Sequence, residues 1–510
     1  MFGAGLALMG RDGKITGDFM DKREFGKLFK DRVVILDGGM GTLLQKRGMP
    51  AGTCPEKWAS ENPAVVRAAH KDYCDAGSDI IYTFTFGANA IKLSGYGLSE
   101  ETRRINAALA GIAREAAGDR AYTAGDISSC GSFLAPFGEI GFEEAVSSFK
   151  EQARGLLDGG VDLFAVETMM DIQEARAALI AIKELCDLPV IATMTYQSGR
   201  RTLMGNDPVS ALVTLQSLGA DAVGCNCTTG PAEMMDIMAK MKPYAKVPLI
   251  AKPNAGTPRL ENGETLFDIS ADSFTFYARP LVEVGANGLG GCCGTTPDYI
   301  RRVEEVTRNL KPVAVKQEHC SLVSSNRKAV EIHAGLPCTA IGEGLAPDGK
   351  NALEEALING DMDFVKDIAR DQAEAGAGLL KINADVPGTV EKETLVSMIN
   401  AVCNAVSVPI LINVSNPAAL EAALRVYPGR AAVNITGEIG KIRIFLSLAK
   451  KYGAVIVLPP VDDKGVPQTA AERTDIMKHV CSEAQKTGYD QKDILADALA
   501  MPAASGRQGC

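Results

Sequence analysis

The sequence predicts two consecutive α/β domains: an N-terminal (β/α)8 barrel of the TIM type, followed by a second, incomplete TIM-barrel-like domain. Short apolar or β-branched runs recur, and an amphipathic segment with apolar residues at spacings of three and four follows each run. Eight such units fit into roughly 270 residues, which is the size and rhythm of a (β/α)8 barrel. The runs lack clean alternation, as expected for a parallel sheet covered on both faces. A doubly wound open sheet is the alternative fold.

Eight predicted strands define the first domain, which we place at residues 32–310 after an N-terminal extension of residues 1–31. The intervening helices are exemplified by EEAVSSFKEQARGLLDGG, which ends at Gly159 and Gly160. The strand runs are, in chain order, VVILDGG from Val33, DIIYTFTFGAN from Asp79, AYTAGDI from Ala121, DLFAVET from Asp162, PVIATMTY from Pro189, DAVGCNC from Asp221, PLIAKPNAG from Pro248 and ANGLGGCCGTT from Ala286.

The composition indicates which kinds of binding partner and which cellular compartment to expect. The formal net charge is -10 and no block of basic residues occurs, which favours small-molecule or protein partners over nucleic acid. No run of 18 uncharged apolar residues predicts a membrane span, and the apolar first segment lacks the basic region and cleavage site of a signal peptide. The 13 cysteines, an odd number without a secretion signal, are typical of a reducing compartment. We therefore expect a cytoplasmic protein.

Candidate functional residues cluster where the predicted strands end. In a (β/α)8 barrel the catalytic groups lie at the carboxyl ends of the strands and in the loops that follow. Asp37 ends the first run, Glu167 the fourth, Cys227 the sixth, and Cys292 with Cys293 the eighth. All five side chains are therefore predicted to meet at one face of the barrel.

The three cysteines have the composition of a zinc site with an open position. Thiolates are soft ligands, and three protein ligands leave a fourth tetrahedral position for a substrate. Cys292 and Cys293 can share a metal only if the backbone leaves β geometry, which the flanking glycines permit. Cys225 points the same way as Cys227 in an ideal strand, so either can be the ligand, although Cys227 is nearer the loop. A redox dithiol at Cys292 and Cys293 is the alternative.

Six motifs in a fixed order resemble the homocysteine S-methyltransferase domain, from about Arg32 to Leu310. The paired GxNC and GGCCGT patterns are specific to that family. The motifs are DGGMGT at 37–42, TFTFGAN at 83–89, VETMMD at 166–171, GCNCTTGP at 224–231, KPNAG at 252–256 and GGCCGTTP at 290–297.

The resemblance implies an enzyme that methylates the thiol of homocysteine and makes methionine. It implies that zinc is held by Cys227, Cys292 and Cys293. It further implies that the amino-acid end of homocysteine is received by Asp37 and the amides of Gly38 and Gly39, with Glu167 pairing the ammonium. A zinc-bound thiol has a lowered pKa and remains a nucleophile, which suits this chemistry. Helix capping by Asp37 and an internal salt bridge of Glu167 are the structural alternatives.

A second βα series, at residues 337–510, follows a predicted linker at 311–336. The linker lacks a long periodic pattern and contains a polar Ser-Ser-Asn-Arg cluster. The predicted strands are CTAIGEG from Cys338, GLLKINAD from Gly378, PILINVSN from Pro409, AAVNITG from Ala431, AVIVLPP from Ala454 and DILADALAMP from Asp493. Six units are fewer than the eight that close a barrel, so we expect an open edge.

The second series is similar to the pterin-binding, methyltetrahydrofolate domain of cobalamin-dependent methionine synthases. The runs IGEGLAPDG at 341–349 and RVYPGRAAVN at 425–434 carry the likeness. Four of the family's pterin-facing positions differ, because the chain has Gly344, Ala346, Lys381 and Asn413 there. The asparagines that remain for a pterin are Asn383, Asn416 and Asn434.

The methyl donor stays open at the level of sequence. Methylcobalamin, charged from methyltetrahydrofolate, is the donor that the second resemblance implies. None of the four histidines lies in the DxHxxG motif of cobalamin modules, so we expect a corrinoid protein or a missing C-terminal module to bring it. The alternatives are S-methylmethionine, S-adenosylmethionine or betaine as donor, and a non-catalytic zinc-binding or interaction protein.

Overall fold

The computed structural model describes residues 8–9, 15–16, 20–261, 264–314, 320–347, 349, 351–435, 442–461, 465, 467 and 469–498. The chain divides into two compact units, Met1–Gln317 and Glu318–Cys510. Within the described ranges, no helix combines the length and the apolar character needed to cross a membrane.

The first unit alternates strands and helices along most of its length. Its strands are β1 (Leu8–Met9), β2 (Ile15–Thr16), β3 (Val34–Ile35), β4 (Ile80–Tyr82), β5 (Tyr122–Ile127), β6 (Leu163–Met169), β7 (Val190–Met194), β8 (Ala222–Asn226), β9 (Leu249–Lys252), β10 (Pro258–Glu261), β11 (Glu264–Phe267) and β12 (Gly288–Leu289). Its helices are α1 (Lys22–Asp31), α2 (Met40–Lys46), α3 (Pro55–Glu61), α4 (Pro63–Asp75), α5 (Ala90–Ser94), α6 (Thr102–Ala117), α7 (Phe142–Asp158), α8 (Ile172–Lys183), α9 (Pro208–Leu218), α10 (Pro231–Met241), α11 (Ala271–Phe276), α12 (Ala278–Glu283) and α13 (Pro297–Thr307).

Eight of these strands form a parallel barrel. Their order is β3-β12-β9-β8-β7-β6-β5-β4, and a parallel bridge between Leu36 and Ile80 joins the two ends of the series. Each of the eight predicted runs contributes one strand. The predicted (β/α)8 barrel is confirmed, and the open-sheet alternative is wrong because the first and last strands meet.

Helix α1 closes the amino-terminal end of the barrel. Asp21 caps the helix by accepting hydrogen bonds from two backbone amides, and Phe25 and Phe29, one turn apart, are 1% exposed. Both rings belong to the same buried cluster as Leu36, Ile80 and other barrel residues. Burying a phenylalanine contributes roughly 2 kcal/mol. Residues 20–31, predicted as part of a separate extension, are thus an integral part of the barrel.

The second unit is built on an open parallel sheet preceded by a hairpin. Its strands are β13 (Ser321–Ser324), β14 (Ala329–Ile332), β15 (Ile341–Leu345), β16 (Leu379–Ile382), β17 (Ile410–Val414), β18 (Ala432–Ile435), β19 (Val455–Leu458) and β20 (Ile494–Ala496). Its helices are α14 (Asn351–Asn359), α15 (Met362–Glu374), α16 (Glu391–Ala405), α17 (Pro417–Val426), α18 (Ile442–Lys451) and α19 (Ala470–Lys486). The sheet order β15-β16-β17-β18-β19-β20 follows the chain, as the six predicted strands require.

The hairpin of β13 and β14 belongs to the second unit. Val323 is fully buried in one cluster with Leu379, Leu411 and Val455 of the sheet. Arg430 is 5% exposed and donates hydrogen bonds to the carbonyls of Leu322 and Gly453. The predicted linker of residues 311–336 therefore contains a packed element. The alternation of apolar residues in SLVS and AVEI is too short to stand out in the sequence.

Candidate metal centre and substrate cavity

Three cysteines converge at the carboxyl ends of the barrel strands. The Sγ atoms of Cys227, Cys292 and Cys293 all lie within 4.8 Å of one another, and each residue is partly buried. The separation suits a tetrahedral ion, because two thiolates at about 2.3 Å from zinc are roughly 3.8 Å apart. The donor set is soft and has three members, which fits zinc with one coordination position left for a substrate.

The backbone at the end of β8 selects Cys227 rather than Cys225. The strand ends at Asn226, and Cys227 and Thr228 adopt left-handed conformations with φ of 63° and 57°. Such conformations are uncommon outside glycine and concentrate at functional sites. The turn breaks the strand alternation, so Cys227 joins the thiol cluster while Cys225 stays in the core at 1% exposure.

The vicinal pair is held in a turn rather than in a strand. β12 ends at Leu289, the amide of Cys292 donates to the carbonyl of Pro253, and the carbonyl of Cys293 accepts from the amide of Ala255. Gly294 follows with φ of 81°, and a Cβ there would lie 2.3 Å from the ring of Phe267. The departure from β geometry predicted for these cysteines is therefore present.

The three thiols have unequal acidity. Hydrogen bonds from Cys292 and Cys293 lower the pKa of Cys227 to about 3. The hydrogen bond with Cys227 raises the pKa of Cys292 well above its usual range and that of Cys293 to about 12. The cluster thus favours the thiolate form at Cys227, with the other two thiols as hydrogen-bond donors. A divalent soft ion would replace the shared protons.

Asn226 ties the cysteine cluster to the neighbouring strands. Its Oδ1 accepts from the amide of Thr168 at 2.9 Å and from the hydroxyl of Thr193 at 2.9 Å. Its Nδ2 points toward Glu167 Oε2 at 3.4 Å and Cys292 Sγ at 3.9 Å. Sequence reasoning missed this residue, although it is one of the letters of the GxNC pattern quoted above. It precedes Cys227 directly in the chain.

Asp37 lies at the end of β3, where the family resemblance places the amino-acid end of the substrate. Its Oδ2 accepts from the amide of Tyr82 at 2.8 Å and its Oδ1 from Lys252 Nζ at 3.1 Å. The amide of Gly39 donates to two acceptors on Thr295, the backbone carbonyl at 3.2 Å and the side-chain hydroxyl at 3.1 Å. A Cβ on Gly39 would lie 2.6 Å from the carbonyl oxygen of Cys292. Glycine is required here because the two loops touch.

Lys252 is a buried cation between two carboxylates. Its Nζ lies 3.1 Å from Asp37 Oδ1, 3.5 Å from Glu167 Oε2 and 3.4 Å from the centre of the Tyr82 ring. Burial opposes its charge, but Glu167 and Asp37 raise the pKa of Lys252 well above its usual range. Burial also raises the pKa of Glu167 and of Asp37, an effect that Lys252 partly offsets. Lys252 begins the KPNAG motif, but its pairing with Asp37, 215 residues away, could not be predicted from the sequence.

These residues line one cavity of about 260 Å³. Its wall includes Asp37, Gly38, Gly39 and Glu167, together with Cys292 and Cys293. Apolar side chains, among them Met40, Phe84 and Phe86, form another part of the wall. Six of the seven predicted site residues of the first unit therefore line a space suited to a small amino acid with an apolar chain, and Cys227 adjoins it through the thiol cluster.

The asparagines predicted to contact a pterin have different surroundings in the second unit. Asn383 Oδ1 accepts from the amide of Asp385 at 2.7 Å, and Asn416 caps α17 by accepting from Ala418 at 2.9 Å. Asn434 pairs in register with Asn413 of β17, and both Oδ1 atoms are buried without a hydrogen-bond partner in the described part of the chain. Asn434 thus has an unused acceptor, whereas Asn383 and Asn416 are engaged locally.

Lys381 is another position at which this chain differs from the pterin-binding family. Its Nζ lies 3.0 Å from Glu343 Oε1 of the neighbouring strand β15. Gly344 is enclosed on one side, because a Cβ there would fall 1.5 Å from Gln372 Nε2. Any larger side chain at that position would require Gln372 to move.

The fold and the site together define a class of protein. It is a (β/α)8 barrel in which three thiols converge beside a carboxylate-lined cavity. The family model for homocysteine S-methyltransferase matches residues 34–307, which is more than half of the chain. The chain therefore belongs to the homocysteine S-methyltransferase family, and its first unit is a methyltransferase domain. The resemblance stated from the sequence motifs is confirmed.

Relatives match across both units. The methionine synthase of Mycobacterium tuberculosis is 29% identical over 508 residues, covering 94% of this chain and 42% of that protein. The methionine synthase of Mycobacterium leprae is 28% identical over 509 residues, with the same coverage. The chain thus spans about two fifths of the length of these relatives. The metallated homocysteine methyltransferase MmuM of Escherichia coli aligns with 55% of this chain and 98% of its own, at 22% identity and a TM-score of 0.46.

Proposed function

We propose that this chain transfers a methyl group to the thiol of L-homocysteine, giving L-methionine, at a zinc site formed by Cys227, Cys292 and Cys293. The convergence of these three Sγ atoms within 4.8 Å beside the cavity carries the proposal. When bound, zinc supplies the Lewis acidity that keeps a coordinated thiol ionised at neutral pH. Family membership supports homocysteine as the acceptor.

The chain's own residues orient the substrate. The amino-acid end lies against Asp37, Gly38 and Gly39, and Glu167 faces the ammonium. The close approach of the Gly39 loop to the Cys292 carbonyl, where an added Cβ would lie 2.6 Å away, supports a fixed distance between that end of the substrate and the thiols. The apolar wall excludes water from the methylene groups and from the sulfur. Holding the reacting atoms in line in this way uses binding energy to accelerate the methyl transfer.

We propose methylcobalamin as the immediate donor, with methyltetrahydrofolate as the earlier source of the methyl group. When presented to the cavity, methylcobalamin would supply an electrophilic methyl group that the thiolate of homocysteine accepts. Similarity over both units to proteins named methionine synthase supports this donor. A corrinoid protein or a further module presents it, since the match covers only 42% of those relatives. In the second unit, Asn434 is the side chain that we propose to read the pterin.

A direct test combines zinc analysis with product formation. The native chain and Cys292→Ser are compared for zinc content and for methionine made from homocysteine with methylcobalamin, with S-methylmethionine as a second donor. We expect about one zinc per chain and turnover with methylcobalamin, both lost in Cys292→Ser. Turnover with S-methylmethionine but not with methylcobalamin would show that S-methylmethionine, rather than methylcobalamin, is the methyl donor. A native chain that holds no zinc and turns over neither donor would contradict the proposal.

A further inference from the structure

Two separate segments of the chain form the two ends of the proposed substrate site. Residues 37–39 lie just after β3 and face the amino-acid end, whereas Cys292 and Cys293 lie after β12 and belong to the thiol cluster. A ligand that engages both segments at once binds well only when the distance between them is fixed beforehand. Some group in the fold therefore has to set that distance.

The hydroxyl of Thr295 joins the two segments through two hydrogen bonds. It donates to the carbonyl of Cys292 at 2.7 Å and accepts from the amide of Gly39 at 3.1 Å. The backbone of Thr295 repeats the connection, because its amide donates to the Cys292 carbonyl at 3.2 Å and its carbonyl accepts from the Gly39 amide at 3.2 Å. The side chain and the backbone of this residue thus hold the same two partners.

The surroundings of Thr295 leave it little freedom to move. The residue is fully buried, and its carbonyl also accepts from the hydroxyl of Tyr73, a buried residue of α4, at 3.2 Å. Its hydroxyl lies close to one glycine from each segment. A Cβ added at Gly38 would lie 2.7 Å from Thr295 Oγ1, and one added at Gly291 would lie 2.2 Å from it. The two segments thus lack side chains at the positions where this hydroxyl sits between them.

We propose that Thr295 is a positioning residue whose hydroxyl fixes the distance between the amino-acid end of the site and the thiol cluster. The inference rests on the proposed function and adds a residue to it. Thr295 lies behind the cavity wall, which includes Gly39 and Cys292, so it acts on a ligand through these two neighbours. It therefore favours ligands that carry an amino-acid group and a thiol in one molecule, because such ligands engage both segments.

The test compares a ligand that engages both segments with ligands that engage one. The zinc-loaded full chain and Thr295→Val are titrated calorimetrically with L-homocysteine, with L-2-aminobutyrate, which lacks the thiol, and with 2-mercaptoethanol, which lacks the amino-acid group. We expect Thr295→Val to weaken homocysteine binding by about 10- to 100-fold, because the two segments are no longer held at one distance. Binding of the other two ligands changes by less than about threefold, since each engages a single segment.

Cobalt(II) in place of zinc gives a second readout, because coordination of the homocysteine thiol changes the visible absorption of the metal. In Thr295→Val this change is expected to require about 10- to 100-fold more homocysteine than in the native chain. Thr295→Ser keeps the hydroxyl and is expected to restore native binding. Thr307→Val is the matched control. Thr307 is a buried residue of α13 that donates to the carbonyl of Val303 at 2.7 Å, so its variant loses stability and keeps native affinity for homocysteine.

Equal homocysteine affinity in Thr295→Val and the native chain would overturn the inference alone, with turnover of homocysteine by the native chain still supporting the proposed function. Equal weakening of all three ligands would also overturn it. If Thr295→Val does not fold, Tyr73→Phe removes one hydrogen bond to the Thr295 carbonyl and is expected to weaken homocysteine binding by about 3- to 10-fold, without a matching loss for the other ligands. Unchanged binding in a folded Tyr73→Phe would then count against the inference. A native chain that neither binds nor methylates homocysteine would overturn both.

Discussion

Lys252 Nζ lies 3.1 Å from Asp37 Oδ1, and the two side chains are 3% and 1% exposed. This ion pair connects the carboxyl ends of β9 and β3, on either side of the strand that leads to Cys292 and Cys293. The pair also places a cation between the two carboxylates that the family resemblance assigns to the substrate. Its structural and functional effects can be separated by substitution.

Lys252→Met is expected to destabilise the first unit by about 3–5 kcal/mol, because the variant leaves Asp37 and Glu167 buried without their cation. The measurement is urea unfolding followed by the fluorescence of Trp58, the single tryptophan of the chain, which lies in α3. Lys71→Met is the control, since its pair with Asp75 is exposed and contributes little to stability. A loss below 1 kcal/mol in Lys252→Met would show that the pair is not needed for stability.

Cys227→Ala is expected to weaken zinc binding more than about 100-fold, while Cys225→Ala retains native affinity. The two residues are two positions apart, but the left-handed turn at Cys227 separates their environments. Competition with a chelator of known affinity measures both variants. Loss of zinc in Cys225→Ala with retention in Cys227→Ala would reverse the assignment of the ligand.

Asn226→Leu is expected to lower zinc affinity by about 10- to 100-fold without removing a ligand, because the residue orients Cys292 and Glu167 through its amide group. The variant also leaves the amide of Thr168 unpaired, which costs about 1–3 kcal/mol of stability. Asn106→Leu is the control. Asn106 is a buried asparagine of α6 that donates to the carbonyls of Ala88 and Thr102, so its variant loses stability and keeps zinc affinity. Equal zinc affinity in the two variants would argue against a positioning role.

The strands and most of the helices follow from local periodicity in the sequence. Each apolar run became one strand of the barrel or of the second sheet because burial on both faces requires continuous apolar residues. Two packed elements escaped this reasoning. Helix α1 contributes only Phe25 and Phe29 to the core from a mostly charged segment, and β13 and β14 are four residues each. Their positions depend on contacts with residues distant in the chain.

The cysteine cluster was accessible from the sequence because thiols have few roles and the glycine-flanked pair is unusual. The roles of the buried charged groups could not be predicted from the sequence in the same way. Lys252 and Asp126 are ordinary polar residues in apolar runs, and they come together only when the barrel brings β3, β5, β6 and β9 to one cavity. Asp37 and Glu167 were singled out by their positions at predicted strand ends, and the family resemblance gave them roles. Their shared cation follows from the three-dimensional arrangement alone.

Glu174 supplies a pH-dependent contribution to stability that is independent of the thiol site. It lies on α8, is 4% exposed, and accepts from the amide of Cys130 at 2.5 Å. Burial raises its pKa from 4.5 to about 7. The folded state therefore holds this proton more tightly than the unfolded state does. The stabilisation is complete below pH 4.5 and is lost as the pH rises to about 7.

Glu174→Gln is expected to remove this dependence, because the amide keeps an acceptor for Cys130 and cannot ionise. Relative to the native chain, the variant gains stability between pH 4.5 and pH 7, up to about 3 kcal/mol at pH 8 if the full shift is realised. Urea unfolding followed by Trp58 fluorescence at several pH values measures the difference. Glu115→Gln, an exposed carboxylate paired with Arg67, is the control and leaves the slope unchanged. Parallel stability curves for the native chain and Glu174→Gln would show that the pKa of Glu174 is the same in the folded and unfolded states.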